Sequence, residues 1–398
     1  MSAVPSRPAA APHRAGVVLG VIQFLFATTW TVYVIFLPQL AKQAGIEPRW
    51  VVWILLLDQL IFTATDFALG VAADRVGRTV GRVGRWAAAV TAVSCAAFVA
   101  LPFVAPGGSP ALLLACVVVW SATSSALRAP PMMLLGKYVP LPQVPWLASF
   151  ALFGLGIAGA LGPYLTVALR GVDPRAPFVA VSVALVLATL ALTWAERRLA
   201  AAAPGAAPAA PPTGTAAAGG FLACVLLLGI GAQVHSSLNS APAYLRFARP
   251  ADLEWLMPLY WIGFSLMQLP TGWLLPRIGA LNLIALSAIA GSVGLAAVAS
   301  AGSMPGLIAA QLVAGAAWAG ILLSATSAAL EFGHTGREGR MTGALFSLLA
   351  LAAVARIAFV AGQLNKNPDY AGLLQWLPAV AWAGAALVLL LVVSMRRR

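Results

Sequence analysis

The amino-acid sequence predicts an all-α membrane protein with twelve transmembrane helices in two pseudo-symmetric six-helix bundles. Three observations carry that expectation. The first is ionic poverty: of 398 residues, 61% are hydrophobic and 9% charged, with a mean hydropathy of +0.91. Soluble domains carry about 25% charged residues, so this chain cannot cover a water-soluble globule. A soluble enzyme, a nucleic-acid module and a disordered tail are excluded despite the net charge of +13. The second is the recurrence of apolar runs of about 20 residues, the length that crosses a bilayer as a helix. The third is an uneven distribution of Lys and Arg between alternate loops.

The runs fall at 15–39, 50–73, 86–105, 109–135, 145–169 and 176–195, then at 219–241, 252–275, 279–301, 304–330, 340–363 and 371–394. In lipid every backbone polar group must be satisfied internally, and runs this long favour helices over barrel strands. The first run is too long for a signal-peptide core and lacks a clear cleavage site, so it reads as a retained span. Between the two sets of six lies AERRLAAAAPGAAPAAPPTGTAAAGG, which has no hydrophobic period and the composition of a flexible linker. The expected organisation is therefore an N-terminal bundle at 1–195, an Ala/Pro-rich linker at 196–218 and a C-terminal bundle at 219–398. Two sets of six spans suggest related halves, as in many secondary transporters.

Loop charges set the orientation. Counting alternate loops gives 16 Lys and Arg on the side of the termini and linker (15 if Arg128 is assigned to its span), 7 on the other, and Arg356 inside a span. The positive-inside rule then places both termini and the linker in the cytoplasm, which requires an even number of spans. Topology thus accounts for the basic balance, and nucleic acid is not an expected partner. Cys95, Cys116 and Cys224 all lie in apolar runs, without CxxC or Cys/His spacing, so no disulfide framework or metal site is indicated.

The sharpest local pattern runs from Asp66 through Gly70, Asp74, Arg75, Arg78, Arg82 and Arg85 to Trp86, at the end of the second span. Gly70 permits close helix contact, and Asp74 with the arginines can build a charge network that latches one conformation. The plainer alternative is a basic loop that only sets orientation. This stretch resembles the G-x-x-x-D-R-x-G-R loop between spans 2 and 3 of the major facilitator superfamily. A narrower resemblance is to the glycoside–pentoside–hexuronide:cation symporters of that superfamily, and three stretches carry it. These are Asp66 to Trp86, Arg128-Ala-Pro130-Pro131-Met-Met-Leu134 in the fourth span, and Glu331 to Gly343 around Thr335-Gly336-Arg337-Glu338-Gly339-Arg340. The resemblance implies a transporter and not an enzyme, with Glu331, Arg337 and Arg340 joining the latch. The chain departs from the branch where a second acid is common (Phe62), where Asn or Asp is common (Arg128) and where Lys is common (Ala350). A sodium site needs several oxygen ligands, so protons are expected as the coupling ion instead of sodium.

Asp58, Asp66, His235 and Arg356 remain inside spans, and Arg128 joins them if the fourth span continues past Pro130-Pro131. Charges at membrane depth are costly and usually face a cavity in pairs. Asp66 lies eight residues before Asp74 and Arg128 nine before Lys137, so both sit roughly 12–13 Å from the same loops. The two are therefore expected to pair, with protonation of Asp66 or solute binding loosening the pair; a permanent structural ion pair is the alternative. Asp58, near the centre of its span, is either a proton carrier or a carboxyl satisfied by a neighbouring helix. The eight-residue offset from Asp66 turns about 80° on a helix, so the two acids need not share a site. His235, within the polar run Gln233 to Ser240, is a proton relay, a solute donor or a helix-to-helix hydrogen-bond partner.

The superfamily resemblance implies that spans 1, 4, 7 and 10 line a central cavity. They would contribute Gln23, Trp30, Tyr33, Trp120, Thr123, Gln233, Asn239, Gln311 and Trp318, a mixture suited to a small polar solute with an apolar face. Packing or interfacial anchoring is the alternative role for the tryptophans among them. Arg356 either clamps a carboxylate or phosphate or pairs with Asp58 across the halves. The expected protein is a monomeric secondary transporter of a bacterial inner membrane. It needs no cofactor and moves a small polar or anionic solute with protons, with export of amphipathic compounds or a non-transporting sensor as alternatives.

Overall fold

The computed structural model describes residues 13–76, 82–202, 215–334 and 336–396. Among them there are only helices and connections, and twelve rods of membrane length. In the first half these are α1 (His13–Gln43), α2 (Val51–Val76), α3 (Arg82–Val104), α4 (Pro110–Tyr138), α5 (Val144–Ala168) and α6 (Arg175–Ala202). In the second half they are α7 (Ala217–Leu245), α8 (Pro258–Ile278), α9 (Ala280–Ser300), α10 (Met304–Gly333), α11 (Glu338–Ala361) and α12 (Ala371–Arg396).

Eleven of the twelve are apolar enough to span by composition alone; α8 falls short. Its sequence carries Gln268, Thr271, Pro270, Pro276 and Arg277, and it places Gln268 and Thr271 in the buried interior. The run expected at 252–275 is also divided: Pro258 opens α8, and Leu253–Leu256 forms a separate short turn.

Two rods are broken where prolines demand it. Pro130 and Pro131 lack N–H groups, so the carbonyls of Ala126 and Leu127 lose their helical donors. α4 accordingly narrows to a 3-10 turn at Ser125–Leu127 and resumes at Ala129. The Leu127 carbonyl is taken instead by Gln23 Nε2 at 2.7 Å, so α1 holds the break in place. In α7, Pro242 removes the donor for Leu238, and the helix widens into a π turn at His235–Asn239. The backbone N–H of Ser240 closes that turn on the His235 carbonyl, and the Ser240 hydroxyl donates to the same oxygen at 3.0 Å.

The halves meet chiefly through α2 against α11 and α5 against α8, with α4 and α5 also reaching α10. At the end carrying Asp74 and Glu338, here the basic end, one apolar core runs through both halves. It includes Leu19, Leu134 and Leu199 of the first half and Phe221, Leu330 and Leu345 of the second. At the opposite end the core divides into two separate clusters. One is built on Phe36, Phe98 and Phe178 of the first half, the other on Tyr244, Val298 and Leu307 of the second. The apolar core is thus continuous across the halves at the basic end and divided at the other, where Tyr164 of α5 still meets Trp255 with ring centroids 5.1 Å apart.

Candidate functional site

In the first half, an aromatic group surrounds the ionisable residues. Trp30 stacks on Trp120 with centroids 6.0 Å apart, and Tyr33 lies 4.5 Å from Trp120. Asp58 is fully buried behind this group. Its carboxylate accepts hydrogen bonds from Ser121 Oγ at 2.6 Å and Tyr33 OH at 2.8 Å, which ties α1, α2 and α4 together. Asp66, two turns further along α2, is also fully buried and receives Arg128 Nη1 at 2.6 Å. The kink at Pro130-Pro131 places Arg128 against α2. Its guanidinium lies 4.5 Å from the Phe62 ring centroid and 5.8 Å from that of Phe26. Two aromatic faces and one carboxylate therefore share a single cation. The Arg128 side chain keeps 23% of its surface accessible, whereas the Asp66 side chain keeps none.

Among the described residues there are three ion pairs, and Arg128–Asp66 is the one at membrane depth; Arg49–Glu47 and Arg249–Asp252 are solvated surface pairs. Thr123 sits beside the aromatic group, but its hydroxyl donates back to the Val119 carbonyl at 2.6 Å. Gln23 reaches the kink of α4, not open space.

In the second half the polar run of α7 is divided between two faces. His235 Nε2 lies 2.9 Å from Gln311 Oε1 and 3.5 Å from Ser240 Oγ, and the imidazole centroid is 5.3 Å from that of Tyr260. Gln233 turns instead to α11, where its Oε1 accepts from Arg356 Nε at 3.1 Å. The suggested Arg356–Asp58 pair across the halves is not formed, because Asp58 is closed off by Tyr33 and Ser121 and Arg356 is held by α7. Two expected cavity residues turn elsewhere. Trp318 stacks on Trp382 of α12 at 5.8 Å and packs the interior of its own half. Asn239 Nδ2 donates to the Leu374 carbonyl of α12 at 2.7 Å, since the π turn rotates it away from the first half.

The latch differs in its chemistry from the expected network of arginines. Asp74 accepts from the backbone N–H groups of Gly339 at 2.7 Å and Arg340 at 2.8 Å. These are first-turn donors of α11 that have no partner within the helix, so a carboxylate from the other half caps them. Arg75, Glu331, Arg337 and the Arg340 side chain are exposed, and Arg78 lies outside the described residues. Gly70 is needed for the approach: a Cβ there would collide with the Gly339 carbonyl and stand 3.1 Å from the Gly343 Cα. Asp74→Ala should remove a cap worth about 0.5–2 kcal/mol and shift the conformers about twofold to thirtyfold towards opening of the basic end. Faster thiol labelling of a Leu330→Cys reporter, buried in the parent, measures it.

Two acids escaped sequence reasoning. Glu196, within the linker expected at 196–218, lies inside α6, fully buried, and accepts from the Gly84 N–H at 2.8 Å at the start of α3. Glu338 is buried where α11 begins, against Gly136 of α4.

Two six-helix halves that share one apolar core at the basic end, with an ion pair at membrane depth in the first, have the architecture of a multi-pass membrane transporter. The chain belongs to the Major Facilitator Superfamily, whose profile matches residues 19–357. No curated relative matches it. Among solved structures it is similar to the human organic anion transporter MFSD10 (TETRAN), with TM-score 0.72 and 14% identity over 96% of this chain and 99% of that one. A bacterial homologue of the iron transporter ferroportin in an outward-facing state gives TM-score 0.72 and 14% identity over 96% and 100% of the two chains. The proton:xylose symporter XylE, bound to 6-bromo-6-deoxy-D-glucose, gives 0.71 and 13% over 96% and 95%. At these identities the likeness is one of fold.

Proposed function

We propose that the protein is a proton-coupled secondary transporter of small organic anions, working by alternating access in a bacterial inner membrane with both termini in the cytoplasm. The observation that carries the anion reading is Arg356. It is a partly buried guanidinium in a membrane helix, bonded to the neutral Gln233 and with no carboxylate in ion-pair range among the described residues. A cation at that depth needs a counter-charge, and a carboxylate or phosphonate solute supplies one. Arg128 offers a second guanidinium with accessible surface.

With the basic end cytoplasmic, the conformer joined at that end faces outward. Asp66 carries the proton in this reading: protonation removes the charge that holds Arg128, and the freed cation meets an anionic solute. Protons are favoured over sodium because Phe62 stands where another oxygen ligand would be needed and already contacts the guanidinium. Phe62 is also one of the positions where the chain departs from the glycoside–pentoside–hexuronide branch, which it resembles in the stretches at 66–86, 128–134 and 331–343.

The test is uptake by reconstituted vesicles across a panel of carboxylates, sugars and amphipathic cations, with internal pH recorded. Anion-dependent proton movement is expected; its absence at every pH between about 5 and 8 would remove the coupling. Arg356→Gln should weaken apparent affinity for anions about tenfold to 150-fold, the loss of a charge-assisted hydrogen bond of about 1.5–3 kcal/mol. Affinity for neutral solutes should stay unchanged. Equal loss for both classes would assign Arg356 a packing role.

A further inference from the structure

A pocket lined only by residues of the second half lies away from the interface of the halves. It opens at the end of the second half opposite the basic end, between α7, α9 and α12, with a volume of about 360 Å³. That is within the range of small-molecule sites, roughly 300–1,000 Å³. Its walls are apolar, built from Leu238, Leu295, Val298, Leu374 and Pro378, and His235 and Asn239 of the π turn also line it.

The only ionic side chain among its lining residues is Arg246. That guanidinium is oriented by main-chain carbonyls: Val298 at 2.9 Å, and Ala299 and Ala243 at 3.3 Å each. None of these partners carries a charge. Gln375, also on the lining, donates to the Ala299 carbonyl at 2.9 Å. An apolar slot with a fixed cation and no acid on its lining has the complementarity of an anionic amphiphile.

We propose that this pocket binds one aliphatic chain with an anionic head, a fatty-carboxylate-like ligand whose chain lies along Leu295, Val298 and Leu374 and whose head meets Arg246. The ligand is a modulator and not cargo. Gln233 of α7 meets Arg356 of α11, and neither lines the pocket, so the pocket stands apart from the groups assigned to the solute. An occupant lies against the π turn and beside the Asn239–Leu374 hydrogen bond that joins α7 to α12. It therefore favours the conformer in which the pocket is formed, as any ligand favours the state it binds.

Dodecanoate, dodecanol and dodecyltrimethylammonium are the probes, applied to delipidated full-length protein with thermal stability and native mass spectrometry as readouts. Dodecanoate should bind saturably and raise Tm, with dodecanol at least tenfold weaker and the ammonium weaker still. Arg246→Gln should weaken dodecanoate at least tenfold and leave dodecanol unchanged. Val298→Trp, or Leu374→Trp if the first variant does not fold, should fill the slot and abolish binding of both. Equal binding of all three probes, indifference to Arg246→Gln, or retained binding in the filled-pocket variants would each overturn the proposal. Discs of phosphatidylglycerol against phosphatidylcholine separate the sources of the chain. Competition by the anionic lipid identifies a bilayer acyl chain, and undiminished dodecanoate binding identifies a free carboxylate. These readouts require no transport, so they stand or fall independently of the anion-transport reading.

Discussion

Arg128→Ala should destabilise the protein by about 3–5 kcal/mol and abolish coupled uptake. Removing one member of a buried pair leaves the other charge uncompensated, and Asp66 has no accessible side-chain surface through which water could replace the guanidinium. The same substitution removes the cation that Phe26 and Phe62 contact. Denaturation of the purified variant, set beside proton-linked uptake at matched expression, measures both losses. The double variant Asp66→Leu/Arg128→Met separates them. Replacing both charges with apolar groups is often neutral or stabilising, so stability should return while coupling stays lost. A double variant that still transports with protons would reduce the pair to a structural element. A single variant as stable as the parent would show that the pair contributes nothing to the fold.

Gly70→Val should shift the conformers about fivefold to 150-fold towards opening of the basic end, and slow uptake with it. The collision is with the main chain of Gly339 and Gly343, which cannot swing aside as a side-chain tip would. Overpacking of this kind costs about 1–3 kcal/mol. Only the conformer joined at the basic end brings α2 and α11 together here, so the cost falls on that conformer. Faster labelling of Leu330→Cys at the basic end, with Tm nearly unchanged, is the expected signature. Unaltered labelling would mean that the helices already part at this point.

Much of the architecture was legible because a bilayer imposes length and composition on every rod. α8 was the least legible by these criteria, since Gln268, Pro270 and Pro276 dilute its apolar character while its burial comes from neighbours. The proximity of Asp66 and Arg128 followed from their equal depth, because two costly groups at one level have each other as the available remedy. Trp318 and Asn239 were not legible. Which face of α7 or α10 meets the first half depends on a π turn set by Pro242 and on how α12 packs, and neither is local in sequence. The Asp74 latch was half legible. The acid and the small residue were visible in the sequence, but its partners are peptide N–H groups, which no residue pattern displays.

Asp66, Gly70 and Asp74 follow one another at single-turn intervals along one flank of α2. The first holds the proton in the proposed cycle, the second lets the partner rod come close, and the third fastens to it. A displacement of α2 begun at the acid has only about 12 Å to travel before it reaches the fastening. No relay of side chains is needed. The rigid rod is itself the transmission, and gauge, bearing and bolt move as one piece.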